Sequence, residues 1–258
     1  MTNALVLTIV LTIALTASVA VAGGAADYHE IEVVDGKSLR YALVLPEDFD
    51  PTKRYPVLLA LPPGPQTEPM VEAGLGRYWG EQAATRGWIV VSPIAPGGTF
   101  FHQGSETVIP ALLDHIAEKY PIEHDKFHLA GASNGGRSSF RVATLYPDRF
   151  LSLTVLPGFP PETVDAARLE RIEQLPIAMF VGGEDERWIA AMQRTETDLR
   201  ALGADVSLTI LPGEGHVPPS LDGDVMMEHL ERVRAKINER PAGSPPQVQD
   251  PSDPVPDP

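Results

Sequence analysis

Short apolar runs alternating with longer, helix-patterned stretches dominate the middle of this chain. Val57 to Leu61, Trp88 to Ser92, Phe127 to Ala132, Leu151 to Leu156, Ile177 to Val181 and Val206 to Leu211 have the length and near-continuous hydrophobicity of strands buried on both faces of a parallel sheet. The stretches between them, about 70–86, 105–119, 134–146, 187–201 and 222–239, are long enough for crossover helices. In the last of these, Met226, Leu230, Val233 and Ile237 fall on one face at helical spacing. Ahead of them, His29 to Val34 and Ser38 to Leu45 flank Asp35-Gly36, which reads as a hairpin. A hairpin leading into strand–helix repeats predicts an α/β fold: a mostly parallel, doubly wound sheet with an N-terminal antiparallel hairpin.

The two ends depart from this pattern. Ala4 to Ala22 carry no charge, are rich in Leu, Val, Ile, Ala and Thr, and finish in an Ala-x-Ala-like run, Ala20-Val21-Ala22. Residues 1–22 are therefore expected to be a signal peptide, although the n-region lacks Lys and Arg; a retained membrane anchor is the alternative. Both readings imply export, to a secreted or periplasmic location, and cleavage would leave no stable membrane association. From Pro241 to Pro258 the chain reads PAGSPPQVQDPSDPVPDP, with almost nothing apolar to bury, and is expected to be a disordered tail. Residues 23–240 remain as one catalytic-sized domain.

Charge narrows the partners. The formal net charge of -15 repels phosphate backbones and no basic cluster overrides it, so a nucleic-acid partner is not expected. The absence of cysteine excludes a thiol nucleophile and a thiolate zinc site. No metal or other cofactor is expected.

Candidate chemistry begins at Phe127-His128-Leu129-Ala130-Gly131-Ala132-Ser133-Asn134-Gly135-Gly136, where Gly131-x-Ser133-x-Gly135 joins a predicted strand to a predicted helix. A serine on so sharp a turn needs neighbours without bulk on either side, and its Oγ then projects above the carboxyl ends of the strands. The bland alternative is a glycine-rich turn with an ordinary N-cap serine. A serine nucleophile needs a histidine base and a carboxylate to orient it, here in the order Ser, acid, His. Asp185 follows the strand ending at Val181, with Glu184 and Glu186 as competitors, and His216 follows the strand ending at Leu211. Both therefore belong at the carboxyl edge of the sheet, where ligands bind in open α/β folds. His229, by contrast, falls inside an amphipathic helix.

GASNGG, GGED and GEGH in this order, with PDRF shortly after the elbow, resemble the serine esterases of the α/β-hydrolase fold. IEHDKFHLAGASNGG resembles the exported polyhydroxybutyrate-depolymerase and feruloyl-esterase-like branch, and the likeness runs over about residues 30–240. It implies hydrolysis of carboxylic esters through an acyl-enzyme, with Ser133 as nucleophile, His216 as base and then acid, and Asp185 as orienter. Asn134, at a helix N-terminus, is the expected first donor of an oxyanion hole. The second donor is expected from the loop after the third strand, which in such esterases usually opens with His-Gly. Here it reads Leu61-Pro62-Pro63-Gly64-Pro65-Gln66, and Pro65 has no N–H to give. Gly64 and Gln66 are the candidates, with Gln66 first because its side-chain amide could help; otherwise the prolines only stiffen the loop.

Between Leu156 and Ile177 lie about 20 residues, too few for a large lid, so an open site is expected. That suits a small-molecule or polymer-linked ester better than a long lipid. Phe100, Phe101, Trp79, Phe159 and Trp188 are candidates to line an acyl or alcohol pocket, and His102 to touch substrate. The same triad would serve a peptidase or thioesterase, and the missing His-Gly leaves a non-catalytic binding protein on this fold as a reading from another class. Oligomeric state is not legible.

Overall fold

The computed structural model describes residues 26–33 and 36–239. The expected signal segment, the proline-rich tail and the Val34-Asp35 part of the hairpin turn lie outside the described residues. Eight strands form one sheet: β1 (Asp27–Glu32), β2 (Ser38–Val44), β3 (Val57–Leu61), β4 (Ile89–Pro93), β5 (Phe127–Gly131), β6 (Phe150–Val155), β7 (Ile177–Gly182) and β8 (Val206–Leu211). Their order is β1-β2-β4-β3-β5-β6-β7-β8. β1 pairs with β2 and β2 with β4 antiparallel, and every other neighbour is parallel, as the sequence pattern predicts.

The apolar runs explain the layering. β3, β4 and β5 are buried at every position, which suits strands covered on both faces. One face packs Leu59, Leu129, Leu153 and Met179 against α3 (Ile109–Lys119), α4 (Asn134–Leu145) and α6 (Glu186–Ala201). The other packs Leu58, Val90 and Ala130 against α1 (Glu68–Gly74), α2 (Gly80–Thr85) and α7 (Gly223–Glu239). A one-turn helix, α5 (Thr163–Ala166), is the only α-helix in the interval after β6.

The helix expected over 70–86 is broken. Leu75–Trp79 form a π-helical turn between α1 and α2, in which the Gly80 N–H reaches the carbonyl of Leu75 five residues back. A Cβ at Gly80 would stand 2.9 Å from that carbonyl oxygen, so the turn depends on glycine there. Inside the sheet His128 of β5 is buried against Ser152 Oγ (2.8 Å), and burial pushes its imidazole down to about 3. On α7, His229 sits 3.4 Å from Thr154 Oγ1, and burial lowers it to about 4.

Candidate active site

Ser133 occupies the turn from β5 into α4 with φ 55° and ψ -117°, a conformation that costs a non-glycine residue about 1–3 kcal/mol. The surroundings make that turn possible. A Cβ at Gly135 would overlap the Leu61 carbonyl oxygen, and one at Gly131 would overlap the backbone of Gly135. The glycines of the motif are thus required by close backbone approach on both sides of the serine.

The loops after β7 and β8 are zipped together by their backbones. Gly183 N–H donates to Leu211 O (2.7 Å) and Glu184 N–H to Glu214 O (2.9 Å). A Cβ at Gly182 would overlap the carbonyl oxygen of Gly215, so this zipper too depends on a glycine. Asp185, at the start of α6, and His216 are held face to face, with His216 Nδ1 2.5 Å from Asp185 Oδ2. The other imidazole nitrogen, Nε2, lies 2.9 Å from Ser133 Oγ. Glu214 Oε2 accepts the N–H and hydroxyl of Ser220 (3.3 and 3.0 Å), and Arg77 Nη2 donates to Pro218 O (2.9 Å), closing the segment that carries His216. Glu184 and Glu186 are exposed and make no hydrogen bond to the imidazole. The His216 side chain is 38% exposed, so solvent reaches it directly.

The oxyanion loop corrects one expectation. Gln66 is fully buried at φ 56°, and its N–H donates to Pro63 O (3.1 Å) in a tight turn. Its side-chain Nε2 donates to Pro62 O (3.2 Å) and Ser138 Oγ (3.1 Å), while Oε1 accepts the Phe101 N–H (2.8 Å). Every donor of Gln66 is spent inside the protein, so it is not free to hold an oxyanion. Gly64 is free: its N–H and that of Asn134 make no hydrogen bond to protein among the described residues. The Asn134 side chain donates from Nδ2 to Gly64 O (3.0 Å), stapling the loop after β3 to the N-terminus of α4.

Two of the aromatic candidates stand beside the triad. Trp188 lies 4.9 Å, centroid to centroid, from the His216 ring, and Phe159 lies 4.9 Å from Trp188. Phe101 is fully buried in the core, and Trp79 belongs to the core on the other face, where it borders a cleft with Arg77, Gln82 and Asp222 that does not include Ser133, Asp185 or His216. Phe100 is half-buried and stacks on His102 at 5.1 Å. His102 is 3% exposed, with Nδ1 2.9 Å from Ser138 Oγ. Burial first, then the neighbouring Arg137 charge, pushes its imidazole down to about 4, against Glu106 and Asp165. It is held inside, behind α4, rather than at the surface.

Sequence reasoning missed the Asn134–Gly64 staple, the Arg77–Pro218 tie and the anchoring by Gln66. Only the fold, which joins residues up to 141 positions apart, creates them. Among the described residues no group of three or more His, Asp or Glu side chains is placed to hold a metal ion. A small cleft between the sheet and α7, lined by Thr154, Ala178, His229 and Lys236 among others, does not include the triad.

No family model matches the chain. It is 26% identical over 146 residues to dipeptidyl-peptidase 5 of Porphyromonas gingivalis, which aligns 50% of this chain with 20% of that protein. It is 32% identical over 90 residues to a probable dipeptidyl-aminopeptidase B of Ajellomyces capsulatus, aligning 35% of this chain with 10% of that one. The chain thus spans a fifth or less of the length of these curated relatives. Among solved structures it superposes on a thermostable esterase with a TM-score of 0.68 at 16% identity, covering 80% of this chain and 62% of that one. An S-formylglutathione hydrolase from Agrobacterium tumefaciens gives 0.64 at 16% identity over 84% and 97%. The S954A mutant of a feruloyl esterase module from Clostridium thermocellum gives 0.63 at 16% over 76% and 83%. At such identities the likeness is one of fold, and with the eight-stranded sheet and its elbow after β5 it identifies the α/β-hydrolase fold, shared here with esterases and dipeptidyl peptidases.

Proposed function

We propose that this protein is a serine hydrolase that cleaves carboxylic esters through an acyl-enzyme. One observation carries the reading: the unbroken chain from Ser133 Oγ through His216 to Asp185, at the carboxyl edge of the sheet. A serine hydroxyl attacks a carbonyl only as its proton leaves, and His216 Nε2 stands where it can take that proton. Asp185 holds Nδ1–H and stabilises the imidazolium that forms. The developing oxyanion is received by the Asn134 and Gly64 N–H groups, fixed beforehand by the Asn134–Gly64 bond. His216 then gives its proton to the departing alcohol, and water repeats the sequence to free the acid.

Of the neighbours matched over most of their own length, the feruloyl esterase module supports oxygen-ester chemistry, and the S-formylglutathione hydrolase, named for a thioester, supports acyl hydrolysis more broadly. The identity to dipeptidyl peptidases favours a second reading, a peptidase with the same triad. The deciding experiment compares 4-nitrophenyl esters with dipeptidyl 4-nitroanilides, using the unmutated protein and Ser133→Ala. Ester turnover lost with Ser133 supports the proposal; turnover of anilides alone replaces it with the peptidase. No turnover of either hands the fold to the binding-protein reading. Export rests on the uncharged Ala4 to Ala22 run, and N-terminal sequencing of protein recovered outside the cytoplasm tests it.

A further inference from the structure

Helix α4 carries two arginines one turn apart on one face, Arg137 and Arg141, and the fold treats them differently. Arg141, farther from the nucleophile, is clamped. Its Nε and Nη2 donate to Glu106 Oε1 (3.1 and 3.0 Å) and its Nη1 to Asp165 Oδ1 (2.8 Å). Both acids are buried, at 4% and 0% exposure.

Arg137 has no such partner. No carboxylate stands within 4.0 Å of its guanidinium among the described residues, although Asp165 Oδ2 is itself without a hydrogen bond. Its Nε is buried with no hydrogen-bond partner, and Nη2 makes one 3.2 Å bond to Pro161 O. The guanidinium lies over Phe159, 5.5 Å from the ring centroid, and Phe159 leads through Trp188 to His216. On the helix Arg137 is one turn beyond Ser133, its N–H bonded to Ser133 O (3.0 Å), and a long side chain leans toward the N-terminal end. Beside it His102, 3% exposed, keeps a buried Nε2 with no partner.

A half-buried guanidinium without a counter-ion is unfavourable, and this chain has 35 acidic residues against 20 basic ones from which to supply one. Leaving Arg137 without a carboxylate one helical turn from Ser133, while two acids are given to Arg141, is the arrangement expected if the anion arrives with the substrate. We propose that Arg137 anchors a carboxylate carried by the substrate, so that the esters this site takes are anionic. The proposal rests on the serine-esterase reading above. The planar fork of arginine matches a carboxylate in a way that an ammonium does not. With a net charge of -15 the overall field repels anions, so any anionic preference has to come from local contact.

The test is a ratio of kcat/KM values for matched esters. In one arm 4-nitrophenyl hemisuccinate is compared with 4-nitrophenyl butyrate, placing the carboxylate on the acyl side. In the other, acetylated 4-hydroxybenzoate is compared with phenyl acetate, placing it on the alcohol side. Arg137→Gln should lower the anionic-to-neutral ratio by about ten- to a hundredfold in one arm, the range of a charged hydrogen bond. Arg137→Lys should restore part of it, and Arg194→Gln, an equal charge change at an exposed position of α6, should leave it at the wild-type value. Should Arg137→Gln fail to fold, succinamate, which carries one carboxylate, is tested against neutral butyramide as an inhibitor of neutral-ester turnover by the unmutated protein. Stronger inhibition by succinamate supports the anchor, and equal inhibition overturns it. A ratio that stays within twofold in both arms, with Ser133-dependent ester turnover intact, overturns the anchor and leaves the esterase standing. Absence of ester turnover in the unmutated protein overturns both.

Discussion

Replacing Gln66 with alanine should damage this protein well beyond what one polar side chain in a loop suggests. The change keeps the backbone bonds from Gln66 N–H to Pro63 O and from Ala95 N–H to Gln66 O. It removes the acceptor for the Phe101 N–H and the donor to Pro62 O and Ser138 Oγ. Ser138 keeps His102 as a partner, but the Phe101 N–H and the Pro62 carbonyl lose theirs at a fully buried site. Each buried orphan costs about 1–3 kcal/mol, and water entering the vacated space recovers some of it, so the net loss should be about 3 kcal/mol. For a domain of this size that lowers Tm by roughly 6–12 °C, taking about 2–4 °C per kcal/mol. Because Gln66 ties the loop after β3 to α4, Gly64 loses its fixed position as well. A donor misplaced by about 1 Å costs on the order of a hundredfold in kcat. Denaturant unfolding and ester kinetics on Gln66→Ala and Gln66→Met separate the terms, since methionine refills the space without restoring a hydrogen bond. Recovery of most of the stability by methionine would mean that the cavity, not the orphaned groups, dominates. Near-native stability and kcat in Gln66→Ala would refute the anchoring role altogether.

Ser133→Ala should lower ester kcat by ~10³ or more with an unchanged fold, and labelling by a phosphonate at any other residue would contradict the assignment. Asp185→Asn should cost on the order of 10²–10⁴ in kcat, and Glu184→Gln or Glu186→Gln far less; equal losses in all three would remove Asp185 from its place. Gly182→Ala drives a Cβ into the Gly215 carbonyl and should part Asp185 from His216, giving a kcat loss out of proportion to a stability loss of about 1–3 kcal/mol. Burial depresses His102 and His229 to about 4 and His128 to about 3. The unfolded chain therefore takes up protons near pH 6.5 that the fold refuses: stability is full above that pH and falls as pH drops toward 4 and then 3, by up to ~1.4 kcal/mol per unit for each histidine. Urea midpoints that stay level between pH 7 and 4.5 would exclude this.

What the sequence reveals of this protein follows from how local each feature is. The strands were legible because burial on both faces leaves uninterrupted apolar runs, and the elbow because its glycines stand within four residues of Ser133. Asp185 and His216 were legible as candidates because in a parallel sheet every strand delivers its last residues to the same edge, so chain order alone brings them close. The π-turn at Leu75–Trp79 was not, since it depends on how a helix pattern seats against α7. The anchoring by Gln66 is hidden from the sequence for a related reason. A glutamine in a proline-rich loop looks available, and its burial depends on Ser138 and Phe101, 72 and 35 residues away. The same holds for the arginines of α4, which are indistinguishable on a helical wheel until Glu106 and Asp165 are seen to reach one and not the other. In this protein Ser133, Asp185 and His216 stand on backbone geometry that local sequence encodes. The polar side chains that hold them in place, and those left open to a ligand, are decided by which distant carboxylate or carbonyl the fold delivers, and a single sequence carries no record of that delivery.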